Sequence, residues 1–170
     1  MTADFHTAGS PASAFDARLL PPADLRLAFP LVRLLHPAVT ERDWLDYAKQ
    51  SQRGEQRRIL VACNPGGYAH GLCILTDNVD LHCGRTLDVE ELVVASFLDC
   101  ASVTRALLSG VERMAREGDY HAVRVVLADS NLPYRQGVAD ALNSIGYVRT
   151  TARFAKPLTH PPAPISSALG

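Results

Sequence analysis

Three acidic side chains lie close together in one short segment and are the first candidates for chemistry. Asp88, Glu90 and Glu91 occur within a run that is otherwise apolar and rich in valine. A carboxylate there can take a proton from an amine, directly or through water, and so act as a general base. Neighbouring strand residues point to opposite faces, so we expect only one of Glu90 and Glu91 to reach a given cleft. The alternative is that these carboxylates are solvated or paired with Arg85 or Arg124.

The cysteine and histidine residues give no strong signal for a second chemistry. The cysteines are Cys63, Cys73, Cys83 and Cys100. They form no C-x-x-C pair, which favours reduced and mostly buried thiols in a cytoplasm. Cys100 precedes a predicted helix N-terminus, where a thiol pKa is lowered, so a reactive thiol is the alternative there. The spacing of His70, His82 and Cys83 matches no zinc pattern, and no metal site is predicted.

Composition and charge limit the size, location and partners of the protein. The chain has 170 residues, 47% of them hydrophobic, which suits one domain with one core. A net charge of -1 argues against a nucleic-acid partner. The sequence has no apolar run of about 18 residues, so no membrane segment is predicted and a cytoplasmic location is expected. We expect residues 1–15 and the Pro/Ser-rich residues 158–170 to be flexible ends of a domain that spans 16–157.

The hydrophobic patterns predict strands and helices in a mixed order. Predicted strands cover 17–20, 59–63, 68–75, 86–95, 122–128 and 149–155. Predicted helices cover 24–37 with a break at Pro30, a segment that starts at Thr40, 103–117 and 135–144. The turn sequence 64–67 predicts a hairpin, and a right-handed crossover must join the later parallel strands. The order therefore predicts an α/β fold, with a mixed central sheet flanked by helices on both faces.

This order resembles the fold of the GNAT N-acetyltransferase superfamily. The segment 84–94 is similar to the family's fourth strand, which often carries two acidic residues before an apolar pair. The segment 105–117 is similar to the helix after the cofactor loop, and Gly146-Tyr147 to the pair after the last helix. The segment 153–158 resembles a common family terminus. The resemblance implies the GNAT acyl-CoA N-acyltransferase fold.

The resemblance also implies acetyl-CoA as the cosubstrate. In the family, the pantetheine arm lies against a splayed fourth strand, and the pyrophosphate sits on backbone N–H groups at the start of the next helix. The matching positions are Leu92, Val93 and Val94 on the strand and Ser102, Val103, Thr104 and Arg105 on the helix. The usual loop is Arg/Gln-x-x-Gly-x-Gly/Ala, but here Asp99, Ser102 and Thr104 stand at these positions. A carboxylate repels a pyrophosphate by roughly 1 kcal/mol or more, whereas Ser102 could bind phosphate or cap the helix.

The catalytic residues that the resemblance implies are only partly present. Glu90 and Glu91 are the candidates for the base that deprotonates the amine. The family often uses a tyrosine in the last helix to protonate the leaving thiolate, and Leu142 stands there instead. Tyr134 and Tyr147 are the nearest alternatives, although core packing is the more ordinary role for both.

The resemblance thus implies an N-acetyltransferase that moves an acetyl group from acetyl-CoA to an amine. The acceptor is a small-molecule amine, a peptide N-terminus or a lysine, and the sequence does not distinguish them. The departures at Asp99, Ser102, Thr104 and Leu142 favour an alternative, a catalytically degenerate GNAT-fold module that binds a ligand or regulates a partner. A homodimer subunit that pairs through its sheet edge is the third alternative.

Overall fold

The computed structural model describes residues 14–53, 57–95, 99–127 and 135–149. The strands are β1 (Asp16–Leu19), β2 (Arg57–Cys63), β3 (Ala69–Asp80), β4 (Gly84–Val94) and β5 (Ala122–Val125). The helices are a 3₁₀ helix (Pro22–Ala28), α1 (Phe29–Leu35), α2 (Glu41–Arg53), α3 (Cys100–Glu117) and α4 (Arg135–Ser144). None of the helices in these ranges is long and apolar enough to cross a membrane.

The five strands form one mixed sheet in the order β1-β2-β3-β4-β5. The first three pairs are antiparallel, and β4 pairs with β5 in parallel. Parallel neighbours need a long connection, and α3 provides it. The predicted final strand at 149–155 falls almost entirely outside the described residues.

Helices cover both faces of the sheet, which confirms the predicted layers. On one face, α3 and α4 pack against β-strand residues such as Leu60, Leu75 and Leu87. We call this the α3/α4 face. On the other face, the 3₁₀ helix, α1 and α2 pack against residues such as Ile59 and Leu72. We call this the α1/α2 face.

Local sequence signals set several of the element boundaries. The amide N–H of Asp43 donates to Thr40 Oγ1 at 3.2 Å, and the Thr40 N–H donates back to Asp43 Oδ2 at 3.1 Å. This reciprocal pair is a capping box, and it starts α2 where the sequence predicted. The predicted turn at 64–67 is present, and its Gly67 has φ 82°, a conformation that glycine adopts without strain.

Several boundaries differ from the prediction, two of them for identifiable reasons. The break in the first helical segment falls between Ala28 and Phe29, because Pro30 lies in the first turn of α1, where a missing N–H costs little. Helix α3 begins at Cys100 rather than at residue 103, because Asp99 caps it. Strand β5 is also shorter than predicted and ends at Val125.

A glycine in β3 allows α3 to lie close to the sheet. A Cβ at Gly71 would stand 2.6 Å from Val103 Cγ1 and 2.8 Å from Leu107 Cδ1, so no larger residue fits without movement. The close approach places the first turns of α3 beside the start of β3 and the end of β4.

Candidate active site

A β-bulge in β4 decides where the acidic side chains point. Val89 and Glu91 pair with successive residues of β3, so Glu90 is an extra residue in β4. Val89 and Leu92 both pack in the core of the α3/α4 face, and the two residues between them lie on the α1/α2 face. The prediction that Glu90 and Glu91 point to opposite faces is therefore wrong, because the bulge interrupts the strict alternation of a strand.

Each of these two glutamates has a basic partner on the α1/α2 face. Glu91 Oε1 lies 3.4 Å from His36 Nε2. Glu90 Oε2 accepts a hydrogen bond of 3.2 Å from Arg57 Nε, and the Arg57 guanidinium lies 5.8 Å from the centroid of the Tyr47 ring. The glutamate side chains remain 29% exposed at Glu91 and 37% at Glu90, so both are accessible to a ligand.

His36 is held in place by the end of α1. Its N–H donates to the Val32 carbonyl at 2.8 Å, and its own carbonyl accepts from Val39 N at 3.1 Å. The neighbouring Glu91 carboxylate raises the pKa of His36 above its ordinary value, although partial burial acts in the opposite direction. Burial raises the pKa of Tyr47, so its hydroxyl is neutral near pH 7. His36 is thus the group in this cluster that can change its charge near neutral pH.

The third acidic residue, Asp88, is part of a buried hydrogen-bond network. It is 4% exposed and accepts from Arg124 Nε at 2.9 Å and Arg124 Nη2 at 2.7 Å. Asn78 and Thr86 donate to the same carboxylate at 3.0 and 2.8 Å. Burial raises the pKa of Asp88, but these hydrogen bonds outweigh it and hold the pKa below its ordinary value. The alternative that a carboxylate pairs with Arg124 is therefore confirmed for Asp88.

Strands β4 and β5 separate beyond the bulge. Their parallel pairing begins at Thr86, and a last backbone bond joins Val126 N to Val89 O at 2.9 Å. Among the residues that the structure describes, none pairs with β4 on the β5 side after Val89. Within the described part of the chain, the main chain from Glu90 to Val94 therefore has no strand partner on that side, as a splayed strand requires.

The side chains of the predicted pantetheine-binding segment belong to the two cores. Leu92 and Val94 are 6% and 0% exposed on the α3/α4 face, and Val93 is 1% exposed on the α1/α2 face. A ligand beside this segment would contact its main chain.

A carboxylate already sits at the start of α3. Asp99 is the N-cap, and its Oδ1 accepts from the Ser102 N–H at 3.2 Å. The Val103 N–H bonds to the Asp99 carbonyl at 3.3 Å. The alternative that Ser102 caps the helix is wrong, because α3 starts earlier and Ser102 lies in its first turn. Asp99 thus occupies a first-turn amide where the resemblance places a pyrophosphate.

The other predicted cofactor-binding residues of α3 differ in accessibility. Val103 and Thr104 are fully buried, and Thr104 Oγ1 donates to the Cys100 carbonyl at 2.8 Å. Ser102 is half-buried and Arg105 is exposed. The side chains of Ser102 and Arg105 can therefore contact an anion at this helix end, whereas the side chain of Thr104 cannot.

Cys100 lacks the features of an activated nucleophile. Burial raises the pKa of its thiol and the Asp99 carboxylate adds to the effect, whereas contact with Thr104 lowers it, and the net shift is upward. The expected lowering is thus wrong, because α4 covers the thiol: a Cβ at Gly137 would stand 3.3 Å from Cys100 Sγ.

Two of the positions considered for a thiolate acid, Leu142 and Tyr147, pack in or against the core of the α3/α4 face. Leu142 is 7% exposed in the core of the α3/α4 face. Tyr147 packs against the same core, and burial raises the pKa of its hydroxyl. Tyr134 lies outside the described residues.

Sequence reasoning missed the basic partners of the glutamates. His36 stands at the end of a predicted helix and Arg57 just before a predicted strand, and neither has a spacing that relates it to β4. Only the packing of α1 on β4 and the pairing of β2 with β3 bring them to the bulge. A lone histidine before Pro37 was the single available signal.

Comparison with solved structures identifies proteins that share this fold. No protein-family model and no curated protein sequence matches the chain. A GNAT family acetyltransferase of Staphylococcus aureus is 19% identical with a TM-score of 0.66, over 85% of this chain and 99% of that chain. A ribosomal-protein-alanine N-acetyltransferase of Brucella melitensis is 17% identical with a TM-score of 0.66, over 84% and 99% of the two chains. The aminoglycoside N-acetyltransferase AAC(6')-Iy, solved with a CoA bisubstrate analogue, is 15% identical with a TM-score of 0.70, over 86% and 99%.

These likenesses show that the chain has the GNAT acyltransferase fold, which confirms the fold predicted from the sequence. They cover nearly the whole length of each neighbour and more than four fifths of this chain. What the site does is argued from its own residues.

Proposed function

We propose that the protein is an N-acyltransferase that moves an acetyl group from acetyl-CoA to an amine. The acceptor is a small-molecule amine, a peptide N-terminus or a lysine. The observation that carries the proposal is the bulge of β4, where two accessible carboxylates lie on one face at the point where β5 leaves the strand. An open strand edge and a nearby proton acceptor are what acyl transfer between a thioester and an amine needs.

Acetyl-CoA would supply the activated thioester, and several features of the chain suit it. The open main chain from Leu92 to Val94 offers hydrogen-bonding groups to an amide-containing arm. The start of α3 offers backbone amides, and exposed Arg105 offers a positive charge one turn later. The Asp99 carboxylate opposes an anion there, so we expect moderate affinity. The CoA analogue bound to AAC(6')-Iy supports this choice of cosubstrate.

Glu91 is the better of the two candidates for the base. The partner of Glu90 is Arg57, which keeps its charge at every physiological pH and leaves Glu90 in a permanent ion pair. The partner of Glu91 is His36, which can lose its own proton and leave the carboxylate free to act. The ion pair of Glu90 and Arg57 instead provides charged groups beside the position proposed for the acceptor amine.

The reaction follows from this placement. An ammonium group beside the bulge gives a proton to Glu91 and becomes a neutral amine. Its lone pair attacks the thioester carbonyl carbon, a C–N bond forms and the C–S bond breaks. The leaving thiolate takes a proton from water, which suffices because a free thiol has a pKa near 8.5.

Detection of the acetylated amine tests the proposal. The protein would be incubated with acetyl-CoA and a panel of amines that includes a polyamine, an amino sugar, a lysine derivative and a short peptide. Products should be read by mass spectrometry, because exposed Cys83 would react with thiol reagents. We expect Glu91→Gln to lower the rate about 100-fold and the surface control Glu117→Gln to leave it within twofold. No acetylated product with any amine would refute the proposal.

The alternative, a degenerate GNAT-fold module, is favoured by one observation. The Asp99 carboxylate accepts the Ser102 N–H at 3.2 Å and so holds an amide that a pyrophosphate would need. If this cap excludes CoA, the open edge of β4 remains as a binding groove for an uncharged ligand. Calorimetry separates the two functions, because the module predicts no heat from acetyl-CoA at millimolar concentration.

A further inference from the structure

We propose that His36 is a positioning residue that acts through Glu91 and stores the proton that Glu91 takes from the acceptor amine. This inference rests on the proposed acyltransferase function and adds a second group to its acid–base machinery. The juxtaposition of His36 Nε2 and Glu91 Oε1 at 3.4 Å is its geometric basis.

The position of His36 suits a proton store at the mouth of a site. Backbone bonds on both sides of the residue fix it at the end of α1. Its side chain is 48% exposed, so one end of the ring meets Glu91 while the rest of the ring reaches solvent. A proton taken at Glu91 can therefore leave through the imidazole without crossing the protein interior.

The charged groups around His36 leave Glu91 as its main electrostatic partner. From β4, Glu91 contacts the ring, and Glu90 is neutralised by its ion pair with Arg57 of β2. From α2, Tyr47 is neutral because burial raises its pKa. From α1 itself, Arg33 lies one turn earlier and is exposed, where solvent screens its charge.

The proton balance of the step is simple. The ammonium N–H bond breaks and its proton passes to Glu91 Oε1, while the electron pair stays on nitrogen. The proton then moves to neutral His36 Nε2, which leaves an imidazolium beside a carboxylate. The amine lone pair forms the C–N bond and thiolate departs, as in the proposed reaction. The imidazolium finally releases the proton to solvent.

The contact also favours proton storage on energetic grounds. The Glu91 carboxylate stabilises the imidazolium, so the pKa of His36 lies above its ordinary 6.5. A histidine with a raised pKa accepts a proton more readily near neutral pH than an isolated one. A carboxylate alone, with an ordinary pKa near 4.3, would hold the proton only briefly.

pH–rate profiles of kcat/KM test the inference, with acetyl-CoA and the best amine of the panel. We expect wild type to lose activity on the acid side with an apparent pKa above 6.5. His36→Gln should lower the maximal rate about 10- to 100-fold and move the acid limb to lower pH. The matched control is His82→Gln, on an exposed turn between β3 and β4, and its profile should equal that of wild type.

Two further readouts separate this positioning role from a purely structural one. Added imidazole should restore activity to His36→Ala, since the vacated position is open to solvent. An NMR titration should show the pKa of His36 falling toward its ordinary value in Glu91→Gln. Turnover by His36→Gln with an unmoved acid limb would overturn the inference and leave the proposed function intact. A lack of acetylation by wild type with every amine would overturn the proposed function, and this inference with it.

Discussion

Two adjacent glutamates on β4 have different electrostatic surroundings because their partners differ. Glu90 faces the permanent charge of Arg57, whereas Glu91 faces an imidazole that titrates near neutral pH. The raised pKa of His36 means that its pairing with Glu91 stabilises the fold below pH 6.5. That contribution is lost as the pH rises through the raised pKa. The charged imidazolium, which stabilises the fold, therefore dominates below this pKa, and the neutral imidazole, which can accept a proton, dominates above it.

Asp99 provides a prediction about the cosubstrate. Asp99→Asn keeps a residue that caps helices well but removes the negative charge at the start of α3. We expect the unfolding free energy to change by less than about 0.5 kcal/mol and the affinity for acetyl-CoA to rise about tenfold. Calorimetry would measure both variants, with Asp119→Asn beyond the other end of α3 as the charge-matched control. Equal affinities in the two variants would place the pyrophosphate elsewhere.

Asp88 provides a prediction about stability and its pH dependence. Arg124→Met leaves a nearly buried carboxylate without its bidentate partner and should cost about 3 kcal/mol at neutral pH. The lowered pKa of Asp88 means that the wild-type contribution is present above pH 3.8 and is lost as the pH falls through the folded value. The deficit of the variant should therefore stay full down to about pH 4 and shrink only as the pH falls further. Urea denaturation would measure it.

The control for that experiment is Arg116→Met. Arg116 pairs with Glu112 on the solvent side of α3, where an ion pair contributes little. A similar loss in both variants, or a loss that does not depend on pH, would contradict the account of the Asp88 network.

At the scale of elements, two backbone features build the site. The bulge at Glu90 turns both carboxylates to one face, and the pairing with β5 ends at Val89, so within the described residues the edge of β4 beside them has no strand partner. Gly71 adds the third condition, because it lets the first turns of α3 approach the sheet. A regular strand with the same sequence would bury one of these glutamates under α3.

Gly71 therefore offers a prediction at this scale. Gly71→Ala introduces a Cβ 2.6 Å from Val103 Cγ1 and 2.8 Å from Leu107 Cδ1, so these side chains of α3, or α3 itself, must move away from β3. Overpacking of this kind should cost about 2 kcal/mol of unfolding free energy. The control is Gly66→Ala in the turn before β3, where the new Cβ meets only side chains at 3.3 Å or more. Thermal unfolding would compare them, and equal losses would mean that close packing of α3 is unimportant.

The elements could be predicted from the sequence more readily than their irregularities. The boundaries of α4 and the cap of α2 follow from local periodicity and from the Thr40–Asp43 spacing, which are properties of neighbouring residues. The bulge at Glu90 depends on how β4 pairs with β3, and a strand sequence read alone carries no record of its partner. The His36–Glu91 contact is also long-range, so the sequence identified one member of the pair and missed the other.

At the scale of the whole molecule, two surfaces meet at the bulge of β4. The open edge toward β5 and the start of α3 form the side proposed for acetyl-CoA, and the α1/α2 face carries the groups proposed for the amine. The fold is that of GNAT acyltransferases, and the departures from the family loop are concentrated at the start of α3. The proposed function therefore depends on whether an acyl-CoA binds at that point.

An amide NMR titration with acetyl-CoA tests that dependence most directly, because it reports affinity and location together. We predict saturable shifts with a Kd below roughly 100 μM, concentrated in Glu91–Ala95 and in the first turn of α3. No shifts at millimolar acetyl-CoA, or shifts confined to the turn that joins β3 to β4, would contradict the proposed function.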